Sequence, residues 1–151
     1  MKLPWGMRET DPRCITLKNW ISEQIEELYL AGYRRFLCGM AIGCDFYFAN
    51  AVLSLRSIHP EITLEAAVPC PDQSDKWTKK QKTEYMRLID ACDSVTVLSP
   101  VYTKECMMQR NRYMVDRSSL LLACFNGQAS GTMNTIVYAQ RSFVETRIIE
   151  I

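Results

Sequence analysis

Residues 33–45 read YRRFLCGMAIGCD: a short apolar run closing on Gly39, a second glycine at Gly43, and an acidic residue at the head of a further apolar stretch. The run 33–39 has the composition of a strand. The stretch from Asp45 to Leu55 is nearly all apolar, which predicts a helix buried on more than one side. Glycines between a strand and a helix let the backbone turn tightly and expose successive amide N–H groups. The chain on either side repeats this strand–turn–helix order.

Upstream, residues 15–31 place Leu17, Trp20, Ile21, Ile25 and Leu28 on one helical face, with Gly32 as the expected C-cap. Downstream, residues 63–68 form a second strand candidate, ended by Pro69-Cys70-Pro71. After a polar loop at 72–77, Thr78 and Gln81 have the spacing of a capping box, and Tyr85, Met86, Ile89 and Cys92 form the stripe expected to be buried. Residues 94–98 are β-branched enough for a strand. A helix over about 103–116 should carry Met107, Met114 and Val115 inward. The continuous apolar run 120–125 predicts a strand covered on both faces. A last helix over about 132–142 leads to a strand at 147–151. Alternation without a hairpin signal between strands predicts βαβ units in one α/β domain over residues 1–151. At least four parallel strands are expected, with the 147–151 strand near an edge.

Composition narrows the function classes. Of the 151 residues, 48% are hydrophobic and 23% charged, which fits a globular domain with a substantial core. The formal net charge of +1 supplies no global field toward nucleic acid or anionic lipid. Seven cysteines form no CxxC pair, and the single histidine, His59, lies far in sequence from most of them. No metal site is expected, and the cysteines read as small buried hydrophobes of a reducing compartment. No apolar run approaches the roughly 20 residues that span a bilayer, so the expectation is a cytoplasmic protein without a membrane partner.

In parallel sheets ligands bind beyond the carboxyl ends of the strands. At the first crossing, Gly39, Met40, Ala41, Gly43 and Asp45 are candidate ligand contacts. The amides and the helix start favour an anion, while Asp45 either caps the helix or accepts a ligand hydroxyl. The second crossing, Asn126-Gly127-Gln128-Ala129-Ser130-Gly131-Thr132, follows the most apolar run. Its Gly127, Ser130, Gly131 and Thr132 suit a phosphate bound through amide N–H groups and the Thr132 hydroxyl. Arg110 is the candidate clamp for that phosphate; Arg112 and Arg117 fit the solvated face of the same helix. Trp77 reads either as a base-stacking lid or as a cap on the core. No nucleophile–base pair is legible around His59, and Glu65, Glu84 and Glu105 are the acids nearest the crossings, so no catalytic residue is assigned.

The pair of crossings carries a family resemblance. LCGMAIGCDFYFANAVLSL (37–55), VPCP (68–71), DSVTVLSP (93–100) and RNRYMVDRSSLLLACFNG (110–127) followed by Gly131-Thr132 resemble the SLOG superfamily, most closely its YpsA-like branch. The resemblance covers most of the chain. It implies a Rossmann-like three-layer sandwich that binds a nucleotide or nucleotide-derived small molecule, with no separate cofactor. Gly39, Ala41, Gly43 and Asp45 resemble the GxAxGxD segment of the DprA DNA-processing proteins. Arg110 and Gly131-Thr132 resemble the arginine and the PGGxGT loop of the lonely-guy phosphoribohydrolases.

Two departures from the family pattern matter. The phosphoribohydrolases carry a catalytic glutamate just after Gly-Thr, where this chain has Asn134 and Thr135. The resemblance therefore supports binding ahead of nucleotide N-glycosidic hydrolysis. Family members also open with a strand ending in a Gly-His-Arg turn, whereas this chain opens Met1-Lys2-Leu3-Pro4-Trp5. The family's first strand, expected beside 33–39, is lacking from this sequence, so either the start is truncated or the sheet is completed in some other way. An open internal edge favours a homo-oligomer. A DprA-like single-stranded DNA binder is the third reading, disfavoured by the near-zero net charge and the lack of an aromatic-plus-basic stripe.

Overall fold

The computed structural model describes residues 2–151. Its elements are α1 (Pro12–Leu30), β1 (Arg35–Cys38), α2 (Cys44–Ile58), β2 (Thr63–Val68), α3 (Lys79–Ala91), β3 (Ser94–Val97), α4 (Cys106–Asp116), β4 (Leu120–Phe125), α5 (Gly131–Arg141) and β5 (Glu145–Glu150). Strand and helix alternate as expected, and the architecture is α/β and Rossmann-like.

Local chemistry sets the boundaries. α1 begins earlier than its apolar pattern because Asp11 caps it, accepting from the Arg13 N–H at 2.9 Å, and Pro12 supplies a pre-set φ at the first position. It ends where Gly32 takes φ 107° and Tyr33 N–H reaches back to the Leu28 carbonyl at 3.0 Å. The capping box opening α3 is formed: Gln81 N–H donates to the Thr78 hydroxyl, and Thr78 N–H to the Gln81 side chain.

Every strand pair is parallel. β1 pairs with β2 (Phe36 opposite Leu64) and β2 with β3 (Ala66 opposite Val95), while β4 pairs with β5 (Leu122 opposite Arg147). Side chains alternate between two helical layers. Phe36, Cys38, Leu64, Ala66 and Val68 join the core made with α1, α2 and α3, where Leu17, Ile21, Ile25, Ala49, Val52 and Leu88 are fully covered. Each such leucine, isoleucine or valine contributes roughly 1.5–3 kcal/mol by burial. On the opposite face, Glu65 meets Tyr113 of α4.

Several expectations change at this level. Trp20, placed on the buried face of α1, is 47% exposed. In α3 the buried residues are Tyr85 and Leu88, and Met86 is 52% exposed, because the helix seats its i, i+3 pair rather than the adjacent residue. Val115 is buried as expected, but Met107 is exposed. Trp77 caps the core, its ring meeting Phe46 and Tyr85 edge-on at 5.9 and 5.3 Å.

The largest departure concerns β4. It was expected to be covered on both faces, yet only Ala123 is buried and its other residues are half-buried. The five strands form two separate ladders, β1-β2-β3 and β4-β5. β1 and β4 each have one unpaired edge, and a cavity of about 740 Å³ lies between them, lined by both strands. The segment before α1 forms turns; Trp5 is buried in the core, and no described residue of this segment pairs with either edge. Among the described residues no strand lies between β1 and β4, where the sequence reading put the family's first one.

Candidate ligand-binding site

Both glycine crossings open onto this cavity. Its lining at the carboxyl ends of β1 and β4 includes Gly39, Ala41 and Asp45 from the first crossing, Gly131 and Thr132 from the second, and Arg110 from α4. Six of the ten candidate contacts therefore share one space.

The first crossing is held tightly. Gly39 passes beneath Arg110: a Cβ built there would lie 2.9 Å from the Arg110 guanidinium. Met40 takes φ 58°, is fully buried in the core and does not line the cavity. Gly43 is the N-cap of α2 at φ 97° with Leu3 packed against it, and it does not line the cavity. Its role is conformational, since a left-handed φ strains any other residue. Asp45 does not cap the helix. Its Oδ2 reaches back to accept from the Ala41 N–H at 3.0 Å, which fixes the loop. α2 therefore begins with no side-chain cap on its amides.

The second crossing is open. Gly127 turns at φ 81°, Gln128 N–H donates to the Asn126 side chain, and neither Gly127 nor Gly131 has an atom within 4 Å of a built Cβ. Ser130 caps α5 by accepting from Met133 N–H at 3.3 Å, so it is occupied in the helix start and does not line the cavity. The Gly131 and Thr132 N–H groups have no partner among the described residues. Amides of this kind bind anions at a helix start.

Arg110 is the least expected feature. The sequence offers it as the clamp for a phosphate at the Gly-Thr loop; in the structure its residue is only 7% exposed. The guanidinium donates to the Gly39 carbonyl, to the Asn111 side-chain oxygen at 2.8 Å and to the Met107 sulfur at 3.7 Å. It makes no ion pair with any described residue. A buried cation without a counter-charge is costly, and neutral acceptors offset only part of that cost. Arg112 and Arg117 instead stack on Tyr138 and Tyr113 at 5.1 and 3.8 Å. Asn111, which orients the guanidinium, and Gln73, whose amide donates to the Gly39 carbonyl at 3.4 Å, were missed. The Arg110-Asn111 dipeptide was a signal for the first; nothing in the polar loop marked the second.

The chemistry available here is anion binding. Asp45 is the only carboxylate in the described lining, against Arg34, Arg35, Arg110 and Arg117. Cys38 and Cys44 also line the cavity, but they are protonated and weak as nucleophiles. Burial pushes the Cys38 thiol well above its ordinary value, and a hydrogen bond with Cys124, together with burial, pushes Cys44 up. Of the three acids considered, Glu65 sits mid-β2, accepting from Tyr113, Arg35 and Thr96 at 2.6, 3.1 and 3.3 Å. Glu84 pairs with Arg87, Glu105 lies at the start of α4, and none of the three lines the cavity. His59 stacks on Tyr29 at 4.2 Å. Among the described residues no three metal-ligating side chains converge, and no helix is long and apolar enough to cross a membrane.

Comparison with known proteins gives the chain's relatives. The chain is 29% identical to the uncharacterized SPbeta prophage-derived protein YoqJ of Bacillus subtilis, over 89% of this chain and 86% of that protein. It is 26% identical to the UPF0398 protein BH1768 of Halalkalibacterium halodurans, over 84% of this chain and 69% of that one. The UPF0398 protein YpsA of Bacillus subtilis is 20% identical over 83% of this chain and 71% of its own length. The YpsA family model, the YspA SLOG family, matches residues 6–151. With that match running from the turn before α1 to the last residue, through both crossings and Arg110, the chain belongs to the YpsA SLOG family.

Proposed function

We propose that the cavity end formed by Gly39, Ala41, Asp45, Arg110, Gly131 and Thr132 binds the phosphate of a nucleotide or nucleotide-derived small molecule. The observation that carries this reading is the buried guanidinium without a carboxylate partner, facing the same space as two helix starts. A phosphate seated there neutralises Arg110 and accepts the free Gly131 and Thr132 amides and the Thr132 hydroxyl. Membership in the SLOG family supports a nucleotide as the molecule bearing that phosphate. Asp45, whose second carboxylate oxygen is not taken up by the loop, is suited to a ribose hydroxyl. Binding is favoured over glycosidic cleavage because the described lining offers no second carboxylate to share acid and base roles.

The test is a thermal-shift and calorimetric titration with nucleoside monophosphates and their parent nucleosides. The monophosphates should stabilise the protein and the nucleosides should not. Arg110→Met should weaken the monophosphate by about tenfold or more, the size of a lost charge-assisted contact. Arg112→Met, altering the side chain stacked on Tyr138, should leave it unchanged. Equal losses for the two variants, or equal binding of nucleoside and nucleotide, would remove the reading. Free base released from the monophosphate would replace binding with hydrolysis.

A further inference from the structure

α4 meets the sheet along one stripe. Cys106, Arg110 and Tyr113 recur at the spacing of a single helical face, and each touches a different part of the sheet. Cys106 is fully buried and meets the Cys70 thiol just past β2. Arg110 donates to the Gly39 carbonyl at the end of β1. Tyr113 donates its hydroxyl to the Glu65 carboxylate, in the middle of β2, at 2.6 Å. These three anchors differ in strength. A thiol is a weak donor and a weak acceptor. Arg110 makes no ion pair with any described residue, so its burial costs free energy instead of holding the helix down. A hydroxyl bonded to an ionised carboxylate is charge-assisted, and roughly twice as strong as a neutral hydrogen bond.

The Glu65 carboxylate is itself held by its neighbours. Thr96 of β3 donates to the same oxygen as Tyr113 at 3.3 Å, and Arg35 of β1 donates to the other at 3.1 Å. Strands on both sides of β2 thus fix the group, and Arg117 stacks on the Tyr113 ring at 3.8 Å. An apolar side chain at this position would cover the sheet face without the cost of burying a charge. What the carboxylate supplies instead is direction: one hydroxyl on one helix must come to one point on the sheet.

We propose that Glu65, acting through Tyr113, is the positioning residue for the Arg110 clamp. This rests on Arg110 being the phosphate contact proposed above. Arg110 precedes Tyr113 by about one helical turn on the same face, so the seat of Tyr113 on Glu65 fixes the height and rotation at which the guanidinium meets Gly39. The bond to Gly39 alone would let the helix shift, because a buried cation gains by moving toward water. With the helix pinned, the guanidinium stays in the cavity lining beside Gly39, and a phosphate finds its donor already placed. Glu65 itself does not line the cavity, so it touches no ligand there.

The experiment uses the whole protein, adenosine monophosphate as the probe, and Tyr113→Phe, which keeps the ring beside Arg117 and removes only the hydroxyl. Without the probe, hydrogen exchange at the Arg110 Nε–H, which donates to Asn111, should quicken about tenfold or more in Tyr113→Phe and in Glu65→Leu. Glu65→Gln keeps an acceptor for the hydroxyl and should quicken it less. Tyr138→Phe is the control. It removes another hydroxyl–carboxylate bond to α4, that to Asp116 at 2.7 Å, and should leave the exchange unchanged. With the probe, Tyr113→Phe should weaken binding about threefold to tenfold in the wild-type background and not at all in Arg110→Met, because the hydroxyl acts only through that arginine. Unchanged exchange in Tyr113→Phe, an equal change in Tyr138→Phe, or losses that add in the double variant would each overturn the proposal. If Arg110→Met alone leaves the probe unaffected, the phosphate reading falls, and the exchange measurement still decides whether Glu65 and Tyr113 hold the guanidinium in place.

Discussion

β2 and β4 are both six-residue parallel strands, and by composition β4 is the more apolar: LLLACF against TLEAAV. Yet β2 buries every residue after its first, the Glu65 carboxylate included, while β4 buries only Ala123. The difference is neighbours. β2 lies between β1 and β3, and β4 has only β5. The crossings on the two sides of the cavity divide the same way, the first locked by Arg110, Leu3 and the Asp45–Ala41 bond, the second open around Gly127 and Gly131. Burial in this molecule follows strand partners before it follows hydrophobicity.

The comparison is broken most directly at Gly43. Valine there must hold a β-branched side chain at φ 97° with Leu3 only 3.3 Å from the new Cβ. The expected cost is about 2–3 kcal/mol in urea unfolding. A loss under about 0.5 kcal/mol, the range of an ordinary surface change, would show that the first crossing is as loose as the second.

A smaller effect comes from acid. Burial by itself raises the Glu65 carboxyl, but hydrogen bonds from Tyr113, Arg35 and Thr96 outweigh it and hold the group below the ordinary glutamate range. Stability from this source is fully present above the unfolded value of about 4.3 and is lost as pH falls through the lower folded one. Urea midpoints measured from neutral pH down to about pH 3 should therefore fall less steeply in Glu65→Gln than in the wild type. Identical slopes would mean that the network around β2 contributes nothing to the difference between the ladders.

The smallest effect is expected at Gly131. It opens α5 without a positive φ, and a methyl group there meets nothing within 4 Å. Gly131→Ala should leave the unliganded protein within about 0.5 kcal/mol of wild type by calorimetry, with any change in the stabilising direction. A clear loss would show that the second crossing is packed without its ligand.

Much of the candidate site was legible in the sequence because its parts are local. Glycine spacing, the Gly-Thr at the start of a helix and the acidic residue after the first loop are features of a few consecutive residues. Arg110 was legible as a residue and not as an environment: the same letter serves an exposed helix face and a buried cation, and only its approach to Gly39 tells them apart. Met40 and Ser130, offered by the sequence as ligand contacts, do not line the cavity, because membership in a loop says nothing about direction. One faces the core and the other is spent on a helix cap.

The sequence by itself determined the element types, their order and the parallel sense of the strands. Periodicity, caps and turn residues act over a few positions, and βαβ crossovers leave little freedom in how strands run. Tertiary structure alone decided that the chain's most apolar strand would stand only half-buried beside a cavity, and that Arg110 would lie buried without a counter-charge among the described residues. Both depend on what arrives from distant parts of the chain, or does not arrive, at a given edge. Side-chain composition records the preference for cover but not whether cover is supplied.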